Sequence, residues 1–465
     1  MATPSGPGLA GMRRFRKAGL PLHHHGPRPW ASFRNIFGCA SDERRDRSIR
    51  DSVQNSRKRG FPNAFLISKS TLMIEPSPRI ELMQVVEDLA PKLAAKSVFI
   101  EQARHLPQEI ADELAARGLY RMLTPRSFGG HEVDIMTFAS VIERLARADA
   151  SAAWCTFISC TSALVGAYLP MDEAARLFAD PAVKLAGVYA PGGRATRTER
   201  NGVPGFLVSG HWNWGSGSRN ANYIVGGCFI IDDDGKPELT PAGKPNVQSM
   251  VFSAEQVTIT DTWHSVGLCG TGSNAFSVEG VFVPTSRTAS LVVDTPLPRP
   301  LYRFPVFGVL GMSIAAVALG IAHRAIESLI DLSKQKTPQG SARPLAERSG
   351  TQLAIACCSA RLRAARAFLH EVLEDTWAVS KGSDPIAVSH RRDIRLAATF
   401  ATTESAAVVD RMHRLAGGSA VYQTSPIQRC LRDVHVATQH IMVSESTYEL
   451  AGRLLLDLPT DISTL

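Results

Sequence analysis

The sequence predicts an α+β chain of three packed units: an N-terminal helical domain, a middle antiparallel β-barrel and a C-terminal four-helix bundle. Three observations carry this. Apolar residues recur at helical spacing up to about residue 184; the next hundred residues are short β-branched and aromatic runs separated by Gly, Asp, Asn and Pro. From residue 304 long amphipathic stretches return. At 465 residues the chain exceeds what one hydrophobic core covers, so several units are expected.

The first 72 residues stand apart. They hold 14 Lys/Arg against 4 Asp/Glu, so the net charge of +8 is concentrated there and the remainder is near neutral at −2. A nucleic-acid footprint over the folded body is thereby excluded. With His23-His24-His25 and scattered Pro and Gly, residues 1–72 read as a disordered or spurious extension, with Met73 as the natural initiator.

The helical unit, 73–184, is expected to contain helices over Arg79–Glu101 and Pro107–Arg117, a third capped by Asp134, and a fourth over Ser151–Leu169. The β unit, 185–295, should place strands at Phe206–Trp214, Asn222–Ile231, Gln248–Ile259 and Ala275–Val283. In the bundle, 304–465, the helices begin with Val306–Ala322. That stretch is apolar for 17 positions, short for a bilayer span of about 20 residues, and reads as a buried core helix. Gln352–Trp377, His390–Leu415 and Arg429–Leu456 complete the four. The eight cysteines show no CxxC or metal spacing, so no metal site is expected and a reduced, cytoplasmic protein is the simplest reading.

One stretch concentrates candidate chemistry: LAGGSAVYQTSPIQRCLRDVHVATQHIMVS, from Leu415 to Ser444. Its Gly417-Gly418 pair suits a helix stop or the close approach of a planar or anionic ligand, and His440 stands alone on an apolar helix pattern.

Six segments, in order, give the chain a family resemblance: GLYRMLTPRSFGG, DASAAW, VSGHWNWGSGSRNANYIVGG, WHSVGLCGTGSNAFSVEGVFVP, ALGIAHRAI and LAGG…QRCLRDVHVATQH. From Met73 onward the chain resembles the acyl-CoA dehydrogenase superfamily. The nearer likeness is to the oxygenase components of two-component (group D) flavin-dependent monooxygenases. The resemblance implies a flavin between the β unit and the bundle. Ser216, flanked by Gly215 and Gly217, would face the ring's central nitrogen, with Trp154 and Trp212 flanking it and Thr271 and Ser273 on a supporting loop. Arg343 would reach the phosphate, though the dehydrogenases' Arg-x-x-Phe is absent. Gly418, Ser419, His440, Ile441 and Met442 would approach from the bundle of a homotetramer.

The resemblance also implies a reaction. Acyl-CoA dehydrogenases carry a glutamate base shortly after Arg-Asp, where this chain has Ile441 preceded by His440; the alternative location, GVLGMSIAAVALGIA, holds no carboxylate. Dehydrogenation would then require Glu445 or Glu449 to reach in. A histidine here matches the monooxygenases. These take reduced flavin (FMN or FAD) from a separate NAD(P)H-dependent reductase, form a flavin hydroperoxide with dioxygen and hydroxylate an aromatic or other electron-rich small molecule. His440 and Ser216 are the expected catalytic residues, His440 accepting a phenolic proton near its ordinary pKa of about 6.5. Tyr302, Phe304 and Phe307 are expected to line a dry substrate pocket with Cys160, which opens the Cys160-Thr161-Ser162 run where several relatives carry a second histidine. An acyl-CoA dehydrogenase and a non-catalytic flavin-binding tetramer are the alternative readings.

Overall fold

The computed structural model describes residues 78–465; the expectation for 1–72 lies outside the described residues. Helix α1 (Pro78–Ala103) and α2 (Gln108–Ala116) precede α3 (Ile135–Ala148), whose N-cap is Asp134, its carboxylate accepting the Thr137 amide. Helix α4 (Ala150–Ser162) is capped by the Asp149 carboxylate on the Ala152 amide and runs into a 3₁₀ turn, Ala163–Ala167. A short α5 (Met171–Leu177) leads to the sheet.

The sheet has seven strands: β1 (Leu185–Arg200), β2 (Val203–Gly215), β3 (Tyr223–Ile231), β4 (Val247–Ser253), β5 (Thr258–Thr260), β6 (Asn274–Pro284) and β7 (Thr288–Ala289). They lie in the order β5-β6-β2-β1-β3-β4-β7. This corrects the expected antiparallel barrel twice over: the sheet is open, and β1 and β3 pair in parallel. The departure follows from β1, absent from the expected strands, whose Pro191-Gly192-Gly193 would ordinarily interrupt one. Those residues instead sit at register shifts within a continuous strand. The Asn201-Gly202 turn, both residues at positive φ, folds β2 back along one edge of β1 and leaves the other to β3. The expected strand Gln248–Ile259 is two, β4 and β5, split by a 3₁₀ turn with a Ser253/Gln256 capping box.

The remaining helices are α6 (Pro300–Arg303), α7 (Val306–Gln335), α8 (Ser349–Ser380), α9 (Val388–Ala416), α10 (Pro426–Thr438) and α11 (Ser446–Leu455). Helix α7 packs against α3, α8, α9 and α10. Its hydropathy passes a membrane-span criterion, as does Ala150–Ala167, but their apolar windows are 78% and 94% buried inside the protein, the behaviour of core helices. Arg147 and Glu327 join α3 to α7, and Arg366 reaches Glu143 at 2.7 Å from α8. The expected fourth long helix, Arg429–Leu456, is broken. Helix α10 ends at Thr438, His440 takes an extended backbone (φ −73°, ψ 131°), and a 3₁₀ turn over Ile441–Val443 intervenes before α11.

Candidate active site

The sequence-distant candidates that meet are Trp154 on α4, Ser216 at the end of β2, Thr271 and Ser273 before β6, and His440 in the α10–α11 break. The Trp154 Nε1 donates to Ser216 Oγ at 3.1 Å. Ser216 Oγ lies 2.6 Å from Ser273 Oγ, itself 2.6 Å from Thr271 Oγ1, and Thr271 donates to the Leu268 carbonyl at 2.8 Å. All three hydroxyl residues are buried. The Gly217 amide donates to the Thr271 carbonyl at 2.9 Å, tying the strand end to the loop. Gly217 has φ +73°, which an L-residue adopts only under strain, and Gly215 has no room for a Cβ, which would stand 2.7 Å from the Phe276 ring.

On its other side Trp154 meets the His440 ring, with centroids 6.1 Å apart and planes tilted by 58°. The Met442 amide donates to His440 Nδ1 at 3.2 Å. With that lone pair engaged, the neutral ring carries its proton on Nε2. Burial, with the Arg395 cation beside it, pushes His440 down to about 4. This corrects the expected ordinary pKa: at neutral pH His440 is an uncharged hydrogen-bond donor, a poor base for a phenolic proton. Sequence reasoning missed Arg395. Buried on α9, it donates to the carbonyls of Met442 (3.2 Å) and Thr464 and to Thr447 Oγ1 (3.3 Å). An arginine in a run of alanines and threonines was the available signal.

The 268–273 loop is anchored from the bundle. Leu268 sits in the left-handed region (φ +46°), and its amide donates to the buried Asp433 carboxylate at 2.6 Å. Burial pushes Asp433 up to about 7 and Asp149 up to about 6. Beside them Arg432 pairs with Glu101.

A cleft of about 230 Å³ opens at the end of β2, walled by Asn213, Trp214, Trp263, His264 and Ser273. Trp214 is 72% exposed and held at φ +65°, an unusual conformation for an aromatic residue and one associated with functional sites. It was not singled out from the sequence; Trp212 was. Trp212 instead fills the sheet's own core, stacked on Phe276 at 5.0 Å with Nε1 bonded to the Gly227 carbonyl at 2.8 Å, so it flanks no ligand.

The expected substrate pocket is also corrected. Cys160 is fully buried with its thiol on the Leu119 carbonyl, Tyr302 bonds the Leu123 carbonyl at 3.2 Å, and Phe304 packs in the core near Trp377. Phe307 is half-buried against the same core. Arg343 and Gly418 are exposed, Ser419 and Gly417 lie in the turn after α9, and none of these bonds to Trp154, Ser216 or His440. Ile441 is 75% exposed while Met442 is buried. Glu445 and Glu449 are both exposed, so neither carboxylate is drawn into the core beside His440. Among the described residues no three His, Cys, Asp or Glu side chains are grouped to hold a metal, and seven cysteines are free.

This arrangement of helices, sheet and bundle has relatives. Residues 81–172 match the acyl-CoA dehydrogenase N-terminal domain and residues 312–445 the acyl-CoA dehydrogenase C-terminal domain. The chain is 32% identical to indole-3-acetate monooxygenase of Pseudomonas putida over 356 residues, 76% of this chain and 88% of that protein. It is 27% identical to the flavin-dependent monooxygenase oxygenase subunit HsaA of Rhodococcus jostii, over 77% of this chain and 93% of that one. The crystal structure of 3-HSA hydroxylase from Rhodococcus sp. RHA1 superposes with a TM-score of 0.75 at 27% identity, covering 83% of this chain and 99% of that one. The chain belongs to the acyl-CoA dehydrogenase superfamily. Within it the chain falls with the oxygenase components of the flavin-dependent monooxygenases, and is an oxidoreductase of that kind.

The residues present fit a flavin ring. The cleft offers indole walls for a planar ring and the Ser273 hydroxyl in its lining; near it in sequence, Gly217 has open space on its Cα side, the nearest side chain being Cys155 at 3.8 Å from an added Cβ. The cleft's volume suits a ring system rather than a whole dinucleotide, since sites for larger ligands run to about 300–1,000 Å³.

Proposed function

We propose that this protein uses reduced flavin and dioxygen to hydroxylate a small aromatic molecule, with Ser216 and His440 at the reacting face. The observation that carries the reading is Trp154, whose indole touches both: its N–H on Ser216 and its ring against His440. Bound reduced flavin would supply the electrons and the site of oxygen activation. Ser216 would hold the ring's central edge, Trp154 would orient Ser216, and Trp214 would cover a ring face. His440, neutral and bearing its proton on Nε2, would donate a hydrogen bond to an oxygen atom at the site, stabilising charge that develops there. The indole beside it, Trp154, itself packed edge-on against Phe157 at 4.9 Å between centroids, would exclude water.

The electrons would come through free flavin reduced by a separate NAD(P)H-dependent reductase; that relatives are oxygenase subunits or components supports a separate partner. Relatives that act on indole-3-acetate and p-hydroxyphenylacetate favour a substrate with an electron-rich ring and a short acidic side chain. Gly418, Ser419, Ile441 and the exposed Arg343 would enter the site only in a homotetramer, working in the cytoplasm. The domain limits 73–184, 185–295 and 304–465 are the units we assign to it.

The test is anaerobic titration with reduced FMN and FAD followed by oxygen and an aromatic acid. Oxygenated product formed only with reduced flavin supports the reading. Bleaching of a bound flavin by an acyl-CoA overturns it in favour of a dehydrogenase. A Trp154→Phe variant keeps the ring beside His440 and Phe157 but loses the N–H. It is expected to weaken reduced-flavin binding severalfold while costing about 1 kcal/mol of stability, checked by flavin titration and urea unfolding.

A further inference from the structure

The hydroxyls around Ser216 form a chain whose direction is fixed by counting protons. Each hydroxyl has one proton to give and lone pairs to receive. The Leu268 carbonyl can only accept, so the Thr271 proton is committed to it at 2.8 Å. The contact between Thr271 and Ser273, 2.6 Å, must then be donated by Ser273. That in turn leaves the 2.6 Å contact between Ser273 and Ser216 to be donated by Ser216. Trp154 Nε1, which can only donate, completes the sequence by giving its proton to Ser216 at 3.1 Å. Every link points the same way, from Trp154 through Ser216, Ser273 and Thr271 to Leu268. The final acceptor is itself fixed: Leu268 is held in the left-handed conformation, with its amide on Asp433 at 2.6 Å.

The consequence concerns what Ser216 has left to offer a ligand. Its proton is spent on Ser273, one lone pair is taken by Trp154, and a second lone pair is available. Toward a ring seated against it, Ser216 is therefore an acceptor. A reduced flavin carries hydrogen on its central ring nitrogen, N5, and an oxidised flavin carries only a lone pair there. Resting on the proposed flavin site, we infer that Ser273 and Thr271 are positioning residues that make the site discriminate between flavin redox states. They hold Ser216 as an acceptor, which suits the reduced N5–H and leaves oxidised flavin facing a lone pair with a lone pair. Discrimination of this kind is strong when a buried polar group would be left without its partner.

Neither Ser273 nor Thr271 need touch the ring for this to operate, and removing either reverses the polarity. Without the Thr271 hydroxyl, Ser273 is free to donate to Ser216, and the Ser216 proton turns outward. Without the Ser273 hydroxyl, the Ser216 proton has no internal acceptor and turns outward directly. In both variants Ser216 becomes a donor able to serve oxidised N5.

The experiment is equilibrium titration of the full chain with oxidised and with dithionite-reduced FMN and FAD, both under nitrogen, followed by protein fluorescence quenching. The readout is the ratio of the two dissociation constants for each flavin, which does not depend on turnover. Wild type is expected to prefer reduced flavin at least tenfold. Ser273→Ala and Thr271→Val are each expected to lower that ratio about tenfold, mainly by tightening oxidised flavin. Thr271→Ser, which keeps the hydroxyl, is expected to retain the wild-type ratio. If wild type prefers reduced flavin and both hydroxyl-deleting variants keep its ratio, the polarity argument is overturned while the flavin site stands. Equal affinity of wild type for the two redox states overturns it as well. If neither redox state of either flavin binds wild type, the flavin reading itself falls, and this inference with it. Should Ser273→Ala fail to fold, the Thr271→Val and Thr271→Ser pair decides the question alone.

Discussion

Replacing His440 by alanine is expected to cut product formation about 100-fold while oxygen consumption continues, so that peroxide accumulates in place of hydroxylated product. The size follows from the loss of one preorganised donor at a reacting oxygen, typically 10²–10³ in rate. The pH dependence distinguishes this role from that of a base. His440 is held down to about 4 by burial and by Arg395, so its protonation state is constant across the neutral range. Product per oxygen consumed should be flat from about pH 5.5 to 8 and fall only as pH approaches 4, where the ring becomes cationic. For stability the sign is the same. A histidine whose folded pKa lies below its unfolded value contributes stability above about pH 6.5 that is lost as pH falls through 4. His440→Asn carries an oxygen to receive the Met442 amide and an N–H₂ to donate, and should recover part of the coupling. Full coupling in the alanine variant, measured by product yield against oxygen uptake, would show that the ring only caps the 441–443 turn.

The second large effect is expected at Asp433. Asp433→Ala removes the acceptor of the Leu268 amide and releases a residue held in a strained conformation, at an expected cost of about 2–3 kcal/mol. Asp433→Asn keeps an acceptor and should be far milder. The pair also reports on titration. Burial raises Asp433 from 3.8 to about 7, with Asp149 nearby adding to the rise and Arg429 and Arg432 opposing it. A carboxyl whose folded pKa exceeds its unfolded value binds its proton more tightly when folded. It therefore contributes stability at acid pH that is lost as pH rises from about 4 to about 7. Urea unfolding across that range should show Asp433→Asn gaining on wild type with increasing pH, by on the order of 4 kcal/mol in all. Parallel curves would show that the wild-type carboxylate is already ionised in the fold.

Much of this architecture is written locally in the sequence. Asp134 is legible as a helix cap because a carboxylate three residues before Thr137 has one evident task. Ser216 between two glycines, and His440 just before Ile441, the position where the dehydrogenases carry their glutamate, mark the two ends of the proposed site before any coordinates. The failures also have local causes. Trp212 and Trp214 share a parity along β2 and by alternation should share a face, yet one is core and the other exposed. The register shifts between Trp212 and Gly215, and the positive φ of Trp214 turns its side chain out. Periodicity carried the last helix straight through His440 because α10 and α11 have continuous apolar patterns on either side of the break. Tyr302, Phe304 and Cys160 illustrate a different limit: an aromatic or thiol near a site reads the same whether it lines a cavity or fills a core. Only packing separates the two.

The open sheet has a consequence for how the chain survives its own synthesis. An unclosed sheet leaves two strands with unpaired amides and carbonyls, a template on which another unfolded chain can add a strand. Here those edges are β5 and β7, of three and two residues. The long strands β1 and β2 are interior, while β6 is covered on its outer side by β5 only over Ala275–Ser277. Lengthening β7 with alternating valine and threonine is the kind of change that would leave the fold intact and send the protein into aggregates.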